Sequence, residues 1–371
     1  MFDWTAGGHR PTYVRRLVEA LHGSVGLLLA LPDATLAEIG DLGVATVSLG
    51  DARPPLGGQL RRGHVIAEEL ERLRGVASGA DRTLHLFGDH VLFRLATTKR
   101  LPGKISLVLY YPRWHYGDAF GTRLPLVDRA VALAKELALQ RWRRRPDAGA
   151  VFALDEELAQ RWSRRPGAPA CWLPEPPVAQ LPNKTQMSEK RGCIIYGALA
   201  PRKGIGALAS ALTIERTEVT VVIAGAPEPT YLSQLHRHVD AMRAAGVDVD
   251  LRARRHSEQE GLAALADARC AVLPYPRHPG MSRVLLEACS VGTPVVADDF
   301  GLVGHLVRRH QLGVTVDCTD RRALRSAIKA LLDPETAASH SHALERFAER
   351  FTPSRFRAAL LRGLAIPDVE V

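Results

Sequence analysis

Regular alternation between apolar and amphipathic segments is the feature that most limits the fold of this chain. From residue 192 onward, short segments that are apolar on both faces, such as residues 193–197, 270–274 and 294–297, are separated by segments with helical periodicity, such as residues 321–332. Strands that are buried on both faces belong to parallel sheets that carry helices on both sides. The pattern therefore predicts a doubly wound α/β domain.

The first half of the chain repeats this pattern less regularly, with predicted strands at residues 25–30 and 150–154 among others. A chain of 371 residues also exceeds the size at which one hydrophobic core stops growing. Residues 173–191 between the halves are rich in proline and polar residues, which is typical of an interdomain connection. We therefore expect two Rossmann-like domains, at residues 1–178 and 190–351, whose sheets face a cleft.

Composition favours anionic partners and a reducing compartment. The formal net charge of +9 suits nucleotides, phosphorylated lipids or an acidic membrane surface, although an arginine-rich composition explains it equally well. A nucleic acid is not expected, because the arginines are scattered and no recognition helix stands out. The five cysteines show no metal-ligand spacing and are expected to be reduced thiols of a cytoplasmic protein. No apolar run matches a membrane span, so we expect any membrane contact to be peripheral.

An internal repeat is also present. The segment QRWRRRP that begins at Gln140 recurs as QRWSRRP from Gln160. Two helices that each end in cations and stop at a proline produce this pattern, because cations interact favourably with the carbonyl end of a helix. Alternatively, a basic rim with exposed tryptophans contacts an anionic surface or acceptor. Both interpretations are open at this point.

A cationic loop follows the predicted strand at residues 193–197. Arg202 and Lys203 stand directly before a predicted helix that begins at Gly204, and lysine is scarce in this chain. The N-terminus of a helix presents free N–H groups and a positive dipole end, so cations placed there favour binding of a diphosphate. The alternative is a basic loop without a ligand.

The stretch RHPGMSRVLLEACSVGTPVVADD, residues 277–299, places a lone carboxylate inside an apolar helix. Gly280 precedes the helix and allows backbone N–H groups to approach a ligand, and Glu287 lies two turns further on. A carboxylate at that point accepts hydrogen bonds from two neighbouring hydroxyl groups, such as those of a ribose. Pairing of Glu287 with Arg283, four residues earlier, explains the carboxylate equally well.

Together these motifs resemble the nucleotide-sugar signature of retaining GT-B glycosyltransferases of glycosyltransferase family 4. The family pattern of a strand followed by G-R-L…K-G is similar to GAL…KG at residues 197–204. The later family pattern E-G-F-G…L-L-E-A…G-x-P-V-V-A is similar to residues 280–297. The resemblance covers about residues 192–332. It implies a GT-B fold in which the N-terminal domain binds the acceptor and the C-terminal domain binds the nucleotide sugar. The final segment, residues 352–371, is then expected to pack back on the N-terminal domain.

The resemblance also implies a site for a nucleotide-diphosphate sugar donor. In the family, cations after the first strand neutralise the diphosphate, the glutamate binds the ribose, and backbone N–H groups before its helix hold the distal phosphate and the sugar. A glycine-rich first loop, here Gly7-Gly8-His9, lies near the donor phosphates and the acceptor. The donor-binding residues implied in this way are Gly8, Arg202, Lys203, Arg254, His278, Gly280, Met281, Ser282 and Glu287.

This sequence departs from the family pattern at three positions. Ala198 stands where the family has an arginine, so Arg202 is expected to supply that charge. Pro279 replaces a glutamate that contacts the donor sugar in the family, and His278 beside it is the expected substitute. His305 stands where a glutamate is usual. The second departure changes the contact to the sugar and leaves the identity of that sugar open.

In the family, catalysis does not need a dedicated protein nucleophile. The main catalytic device expected here is electrostatic stabilisation of the leaving diphosphate by Arg202 and Lys203. His9 and His115 are the further catalytic candidates. Other loop residues that are candidate general bases or acceptor contacts are His90, Asp89 and Asp118.

The expected function is therefore transfer of a sugar from a nucleotide-diphosphate donor to an acceptor hydroxyl with retention of the anomeric configuration. The acceptor is expected to be a small molecule, a lipid or a glycan. No metal cofactor is expected, because cationic side chains serve the diphosphate. The alternatives are a nucleotide-sugar hydrolase or epimerase on the same fold, and a glycosyltransferase-like subunit that binds without turnover.

Overall fold

The structure is a computed structural model, and it describes residues 1–6, 10–53, 59–110, 126–176, 189–216 and 218–368. The described residues form two compact units. The first unit contains the described residues of 1–175 together with those of 353–371, and the second contains those of 176–352. Each unit has its own cluster of buried apolar side chains.

The described strands of the first unit are parallel. They are β1 (Leu28–Leu31), β2 (Ala45–Ser48), β3 (Arg82–His85), β4 (Lys104–Leu109), β5 (Ala148–Ala153) and β6 (Ala170–Trp172). β1 pairs with β2, and β3 to β6 pair in chain order. Phe2 makes parallel bridges to Ala30 in β1 and to His85 in β3. The beginning of the chain therefore connects the two groups of strands, in the order β2-β1-Phe2-β3-β4-β5-β6.

Helices precede and follow these strands. They are α1 (Arg10–Leu21), α2 (Asp33–Ile39), α3 (Gln59–Ala77), α4 (Leu92–Thr97), α5 (Leu126–Arg143) and α6 (Glu156–Ser163). In α1 the buried residues Val14, Leu17, Val18 and Leu21 recur at intervals of three and four, so one face of the helix is apolar and buried. α6 begins where the carboxylate of Asp155 accepts a hydrogen bond from the N–H of Leu158, at 3.2 Å.

The repeat that begins at residues 140 and 160 is structural. Trp142 and Trp162 are 1% and 0% exposed, so the interpretation as a basic rim with exposed tryptophans is wrong. Arg143 is buried as well, and it donates to the carbonyl oxygens of Trp162 and Ala168 at 2.9 and 2.7 Å. The two copies lie at the ends of α5 and α6. There the guanidinium of Arg143 satisfies carbonyl groups that would otherwise lack partners.

The second unit contains a six-stranded parallel sheet. Its strands are β7 (Arg191–Tyr196), β8 (Thr220–Ala224), β9 (Asp248–Arg252), β10 (Ala268–Leu273), β11 (Val295–Asp298) and β12 (Gly313–Val316). They are arranged in the order β12-β11-β10-β7-β8-β9. Every residue of β10 and β11 is buried, as expected of central strands that helices cover on both sides.

The helices described in this unit are α7 (Ile205–Leu212), α8 (Leu232–Ala244), α9 (Glu258–Asp267), α10 (Arg283–Ser290), α11 (Gly301–His310), α12 (Arg321–Leu332), α13 (Pro334–Ala338) and α14 (Ser341–Ala348). α9 opens with a capping box, in which Ser257 and Glu260 each bind the other's backbone N–H. The strands and helices of this unit alternate along the chain, so the predicted doubly wound α/β organisation is confirmed.

A final helix, α15 (Pro353–Leu364), belongs to the first unit. It contacts α1 and β5, and Nη1 of Arg357 donates to the carbonyl oxygen of Ala20 at 2.6 Å. A Cβ on Gly363 would lie 2.5 Å from the ring of Phe152, so only glycine permits this close approach of α15 to β5. The chain thus returns to the first unit after it has completed the second.

Candidate functional site

In the sheet of the second unit, the order in which strands are added along the chain reverses between β7 and β10. From β7 the chain continues to β8 and β9 on one side, and it then crosses to β10 on the other side of β7. In open parallel sheets, ligands bind outside the carboxyl ends of the strands at such a switch point. The loops that leave β7 and β10 there are residues 197–204 and 274–282. The fold therefore brings the two predicted loops to one edge of the sheet.

Gly204 fixes the first loop against the second. Its φ is +69°, and a Cβ at this position would lie 1.9 Å from the carbonyl oxygen of Pro274. Only glycine tolerates both the left-handed backbone and so close a contact. Pro201–Lys203 form a 3₁₀ turn directly before it, and α7 begins directly after it. The cationic turn is thereby held next to the end of β10.

The ammonium group of Lys203 lies at the contact between the two loops. Its Nζ is 3.0 Å from the hydroxyl oxygen of Tyr275 and 4.3 Å from the centre of the Tyr275 ring. It also faces Gly197, where a Cβ would lie 3.2 Å from Nζ. A cation over an aromatic face is stabilised by the ring quadrupole. Sequence reasoning missed Tyr275, although its place two residues after β10, at the carboxyl edge of the sheet, was a usable signal.

Arg202 is placed differently from Lys203. Its side chain is 59% exposed and forms an ion pair with Glu228, with 2.8 Å between Nη1 and Oε1. Successive residues of a 3₁₀ turn point in different directions, about a third of a turn apart. The structure therefore brings Lys203 to the second loop and keeps Arg202 in an exposed ion pair.

The second loop leads into the N-terminus of α10. Gly280 and Ser282 are buried there, and Met281 is half-buried. Ser282 is the N-cap residue, but its side chain makes no capping hydrogen bond, and the first turn of α10 contains no acidic residue. The first N–H groups of a helix have no intrahelical partner and carry the positive end of the helix dipole. This end of α10 is therefore suited to an anion.

His278 folds back on the same loop. Its Nε2 lies 3.3 Å from the carbonyl oxygen of Met281, and its ring packs edge-on against Tyr275 with 5.8 Å between centroids. Gly301 in α11 approaches the carbonyl oxygen of His278, because a Cβ on Gly301 would lie 2.3 Å from it. The residue predicted to substitute for the missing glutamate is therefore held beside Tyr275.

Glu287 is buried within α10, with 6% of the residue exposed. Nε of Arg283 donates to Oε1 of Glu287 at 2.7 Å, and Arg283 also binds the carboxylate of Glu258 in α9. The pairing with Arg283 that the spacing indicated is thus present. The nearby guanidinium compensates the charge of a carboxylate that burial alone would disfavour.

Tyr196, at the end of β7, borders the same carboxylate. Burial, and next the negative charge of Glu287, raise the pKa of Tyr196 to about 12. Its hydroxyl therefore stays protonated at neutral pH and remains a hydrogen-bond donor. Sequence reasoning did not select Tyr196, because nothing in a strand-ending tyrosine marks it as a neighbour of a helix far along the chain.

Arg254 and His256 lie in the loop after β9. Arg254 is exposed and bound to Glu260, with 2.7 Å between Nη2 and Oε1. The ring of His256 lies 6.4 Å from that of Tyr196. Neither buried ring nitrogen of His256 has a hydrogen-bond partner within the described part of the chain. This loop therefore places polar groups near Tyr196, and it contains Arg254, one of the predicted donor-binding residues.

An Asp-x-Asp pattern occurs at Asp248 and Asp250, within β9. Both carboxylates contact neighbouring side chains of the sheet. Asp250 pairs with Arg252, at 2.7 Å between Oδ2 and Nη2, and Asp248 accepts a hydrogen bond from the hydroxyl of Thr220 at 3.3 Å. The pattern thus lies in the strand itself, whereas the described candidate donor-binding residues lie in loops that follow strands and in α10.

Four candidates named from the sequence lie outside the described residues, namely Gly8, His9, His115 and Asp118. Asp89 and His90 are described, in the loop after β3 of the first unit. Asp89 accepts a hydrogen bond from the backbone N–H of Tyr110 at 2.8 Å, which ties this loop to the end of β4. Nε2 of His90 lies 2.7 Å from Oε2 of the buried Glu69.

Solved structures resemble nearly the whole chain. Sucrose-phosphate synthase from Thermosynechococcus elongatus aligns with a TM-score of 0.64 at 17% identity, over 96% of this chain and 92% of its own. HepE from Anabaena, solved in complex with UDP, aligns with a TM-score of 0.66 at 15% identity, over 97% and 98%. WaaG, a glycosyltransferase involved in lipopolysaccharide biosynthesis, aligns with a TM-score of 0.59 at 14% identity, over 95% of each chain. The chain therefore has the predicted α/β GT-B fold.

Sequence comparison finds a family model that matches part of the second unit. Residues 190–334 match the family model described as glycosyl transferases group 1, and this range contains both loops and α10. Glycogen synthase from Mycobacterium tuberculosis is 34% identical over 152 residues, which is 39% of this chain and 34% of the glycogen synthase. The matched stretch thus spans about a third of the length of these curated relatives.

Proposed function

We propose that this protein is a glycosyltransferase that moves a sugar from a nucleotide-diphosphate donor to an acceptor hydroxyl with retention of the anomeric configuration. The observation that carries the proposal is the contact of Lys203 with Tyr275 at the switch point of the second unit, beside the first turn of α10. The match of residues 190–334 to glycosyl transferases group 1 supports it.

In this proposal Lys203 binds the donor diphosphate. An ammonium group has three donor hydrogens, and the hydroxyl of Tyr275 accepts one of them, so the others serve phosphate oxygens. When the bond between the sugar carbon and the diphosphate breaks, negative charge grows on the leaving oxygen. A fixed cation and the N-terminus of α10 stabilise that charge more strongly in the transition state than in the ground state. Arg202 adds charge from the exposed side of the turn.

Glu287 binds the ribose of the donor in this proposal. Arg283 occupies Oε1 of Glu287 and fixes the orientation of the carboxylate. A carboxylate accepts several hydrogen bonds, so a ribose hydroxyl pair is a suitable further partner. Tyr196 and the loop that contains Arg254 and His256 border the base, and His278 contacts the sugar in place of the missing glutamate. Gly8 and His9 contribute from the first unit, and His115 is a further catalytic candidate.

Binding of nucleotides tests the donor site. Isothermal titration of the full chain with UDP, GDP and dTDP is expected to show binding of at least one nucleotide. Lys203→Ala is expected to weaken that binding about thirtyfold, because a charge-assisted hydrogen bond contributes roughly 2 kcal/mol. Lys329→Ala, which removes an exposed lysine of the same unit, is the matched control. Binding that is equal in both variants would refute the role of Lys203.

Turnover separates the proposed activity from its alternatives. With the corresponding nucleotide sugar and a mixture of acceptors, transfer with retention yields a glycoside whose anomeric proton coupling matches that of the donor. Free sugar in the absence of acceptor indicates a hydrolase, and a changed donor sugar indicates an epimerase. A bound nucleotide sugar that stays intact indicates a binding subunit. His278→Ala is expected to abolish transfer and to leave nucleotide affinity intact.

The remaining expectations belong to the same proposal. Cationic side chains serve the diphosphate, so transfer is expected to be unchanged by chelating agents. The acceptor is a small molecule, a lipid or a glycan. A cytoplasmic location is proposed from the cysteines, whose five thiols are unpaired.

We also propose peripheral contact with anionic lipid through α5. Within the described residues, no helix is long and apolar enough to cross a membrane. The exposed side of α5 nevertheless carries large apolar side chains, with Leu126 80%, Leu133 62% and Leu137 61% exposed. Arg129 and Arg141 are exposed on the same helix. An apolar helix face flanked by cations is typical of helices that lie in an anionic lipid interface.

Sedimentation with vesicles tests this contact. The full chain is expected to bind vesicles of phosphatidylcholine with phosphatidylserine more strongly than vesicles of phosphatidylcholine alone. Leu133→Glu is expected to abolish the binding, whereas Leu232→Glu, at an exposed leucine of the second unit, is expected to retain it. Equal binding to both vesicle types, or a dimer that Leu133→Glu dissociates, would contradict the proposal.

A further inference from the structure

The sheet of the first unit has a switch point of its own. Phe2 lies between β1 and β3, and the chain passes first to β1 and β2 on one side and later to β3 on the other. The backbone N–H of Arg53, in the loop after β2, donates to the carbonyl oxygen of Trp4 at 2.6 Å. His90 stands in the loop after β3. The carboxyl edge of the sheet thus brings Arg53 and His90 towards the same point.

A buried carboxylate organises this point. Glu69 in α3 is 0% exposed, and Nε2 of His85 and Nε2 of His90 lie 3.1 and 2.7 Å from its two oxygens. Burial raises the pKa of Glu69, but hydrogen bonds from the two histidines outweigh that effect and lower the pKa to about 2. Glu69 is therefore ionised, and each histidine donates its Nε2–H to it.

The two histidines differ at their second nitrogen. Nδ1 of His85 accepts the backbone N–H of Phe87 at 3.1 Å, so both nitrogens of His85 are used. Nδ1 of His90 is buried and has no hydrogen-bond partner among the described residues. Burial lowers the pKa of His90, although the adjacent Glu69 opposes the shift, so the ring is neutral at neutral pH. Because its Nε2 carries the hydrogen, Nδ1 of His90 presents a lone pair that requires a donor.

Arg53, in contrast, has buried hydrogen-bond donors that lack acceptors among the described residues. Its Nε and Nη1 are buried and have no hydrogen-bond partner within the described ranges. Nε lies 3.8 Å from Oε2 of Glu69, which is an ion pair and too long for a hydrogen bond. A guanidinium can only donate. A buried polar group without a partner costs folding free energy, so the site lacks acceptors for Nε and Nη1 of Arg53 and a donor for Nδ1 of His90 among the described residues.

The charge of the cluster distinguishes between the ligands that could form these hydrogen bonds. A hydroxyl group both donates and accepts, whereas a phosphate dianion or a carboxylate only accepts. Arg53 faces Glu69, and nearby Asp3 is paired with Arg10 at 3.3 Å, so the cations and carboxylates of the cluster balance. An added anion would lie close to two carboxylates, and the described residues of the cluster supply no further cation to balance it. The cluster therefore favours a neutral ligand with neighbouring hydroxyl groups.

We propose that Arg53 and His90 bind neighbouring hydroxyl groups of a neutral sugar or polyol acceptor. A hydroxyl hydrogen is donated to Nδ1 of His90, and a second hydroxyl oxygen accepts from Arg53. Glu69 is a positioning residue that fixes the tautomer of His90. Phe87, whose ring lies 5.5 Å from that of His90, forms an apolar wall of the site. The inference rests on the proposed glycosyltransferase function and narrows its acceptor to an uncharged, hydroxylated molecule.

Nitrogen NMR of the histidine rings tests this site in the full chain. D-glucose, D-galactose, D-mannose and glycerol are added separately to protein labelled with ¹⁵N-histidine. At least one of them is expected to shift the Nδ1 resonance of His90 upfield, as a lone pair does on accepting a hydrogen bond, and to leave exposed His22 unchanged. D-glucose 6-phosphate and inorganic phosphate are the anionic arms. No response of His90 to any neutral compound, or a response to phosphate at a lower concentration, would overturn the proposal.

Substitutions distinguish binding from a structural role. His90→Gln retains a side-chain N–H for Glu69 and removes the Nδ1 acceptor, and it is expected to weaken binding of the responding compound about tenfold. His22→Gln is the matched control in the same unit. Unchanged affinity in His90→Gln would contradict the proposal. Glu69→Gln is expected to move the ¹⁵N shifts of His90 towards a mixture of tautomers, which a purely structural role of Glu69 would not cause.

The same titrations separate this inference from the proposed function. Nucleotide binding is measured at Lys203 in the second unit and sugar binding at His90 in the first. Nucleotide binding without a response of His90 refutes the acceptor site alone. A response of His90 without binding of any nucleotide refutes the glycosyltransferase proposal and, with it, the assignment of the bound sugar as an acceptor.

Discussion

In both units the strand order reverses at one point of the sheet. This point lies between β7 and β10 in the second unit and between Phe2 and β3 in the first. In the second unit, the ammonium of Lys203 lies over Tyr275, near the N-terminus of α10. In the first, His85, His90 and Arg53 surround the buried carboxylate of Glu69. The same position in the fold therefore has a cationic character in one unit and a balanced charge in the other.

The difference indicates that topology and side chains have separate roles. Topology determines where loops meet, because parallel strands that run to opposite sides of the sheet leave a crevice at their carboxyl ends. Side chains determine which ligand the crevice accepts. A cation with backbone N–H groups favours a diphosphate. A histidine nitrogen and a guanidinium that both lack hydrogen-bond partners among the described residues favour hydroxyl groups.

The largest expected effect comes from the glycine that joins the loops of the second unit. Gly204→Ala is expected to destabilise this unit by at least about 3 kcal/mol, because the new Cβ would lie 1.9 Å from the carbonyl oxygen of Pro274 and φ is +69°. Gly292→Ala is the matched control, since φ is +66° there and nothing lies within 4 Å of the added Cβ. The backbone strain alone is expected to cost about 1 kcal/mol in the control.

Urea unfolding followed by far-ultraviolet circular dichroism measures both glycine variants. The tryptophans all precede residue 173, so their fluorescence reports on the first unit and is expected to change little in either variant. Equal destabilisation by Gly204→Ala and Gly292→Ala would mean that the contact between the loops is not tight. It would contradict the inference that Gly204 holds the cationic turn next to the end of β10.

The second effect concerns the carboxylate of the first unit. Glu69→Gln is expected to destabilise this unit by about 3 kcal/mol at neutral pH, since the pKa of Glu69 is lowered to about 2 from its usual 4.5 in the folded protein. A lowered pKa contributes stability that is complete above pH 4.5 and is lost as the pH falls through 2. The difference between variant and parent is therefore expected to narrow below pH 4.5.

Tryptophan fluorescence during urea unfolding at several pH values measures this effect. Glu68→Gln is the neighbouring control, because Glu68 forms an exposed pair with Arg72 four residues later. Such a pair contributes less than about 1 kcal/mol. A constant difference for Glu69→Gln from neutral pH to pH 2 would show that the carboxylate is not ionised by its histidine partners.

The smallest effect tests the environment of Glu287. Glu287→Gln is expected to lower the pKa of Tyr196 from about 12, because the charge of Glu287 is one cause of the raised value, after burial. The shift is expected to be less than about one unit, since burial remains. Tyrosinate absorbance measures it, as a difference against Tyr196→Phe. An unchanged pKa would show that Arg283 already cancels the charge of Glu287 at this distance.

The second unit was predictable in most of its elements. The predicted strand at residues 270–274 corresponds to β10 (Ala268–Leu273), and the predicted helix at residues 321–332 to α12 (Arg321–Leu332). Buried parallel strands require apolar residues on both faces, so their signal is strong even in a single sequence. Lys203 and Glu287 were selected because a scarce lysine directly before a helix and a lone carboxylate inside an apolar helix differ from their neighbours in the sequence.

The first unit was less predictable because its elements are short. The predicted strand at residues 25–30 is displaced from β1 (Leu28–Leu31), and α4 (Leu92–Thr97) and β6 (Ala170–Trp172) were not predicted. A helix of six residues is unstable by itself and forms only against its neighbours. The repeat around Trp142 and Trp162 was ambiguous for a related reason, because burial of a tryptophan depends on what packs over it.

The sequence by itself determined the alternation of strands and helices, the division into two sheets, and the presence of a scarce lysine and a lone glutamate in loop and helix positions. Only the tertiary structure decided that Lys203 contacts Tyr275, that Glu287 borders Tyr196, and that Glu69 accepts hydrogen bonds from two histidines. The physical reason is that periodicity is a local property, whereas these contacts join residues far apart in the chain. Strand order and burial bring them together, and neither can be read from the spacing of residues along the chain.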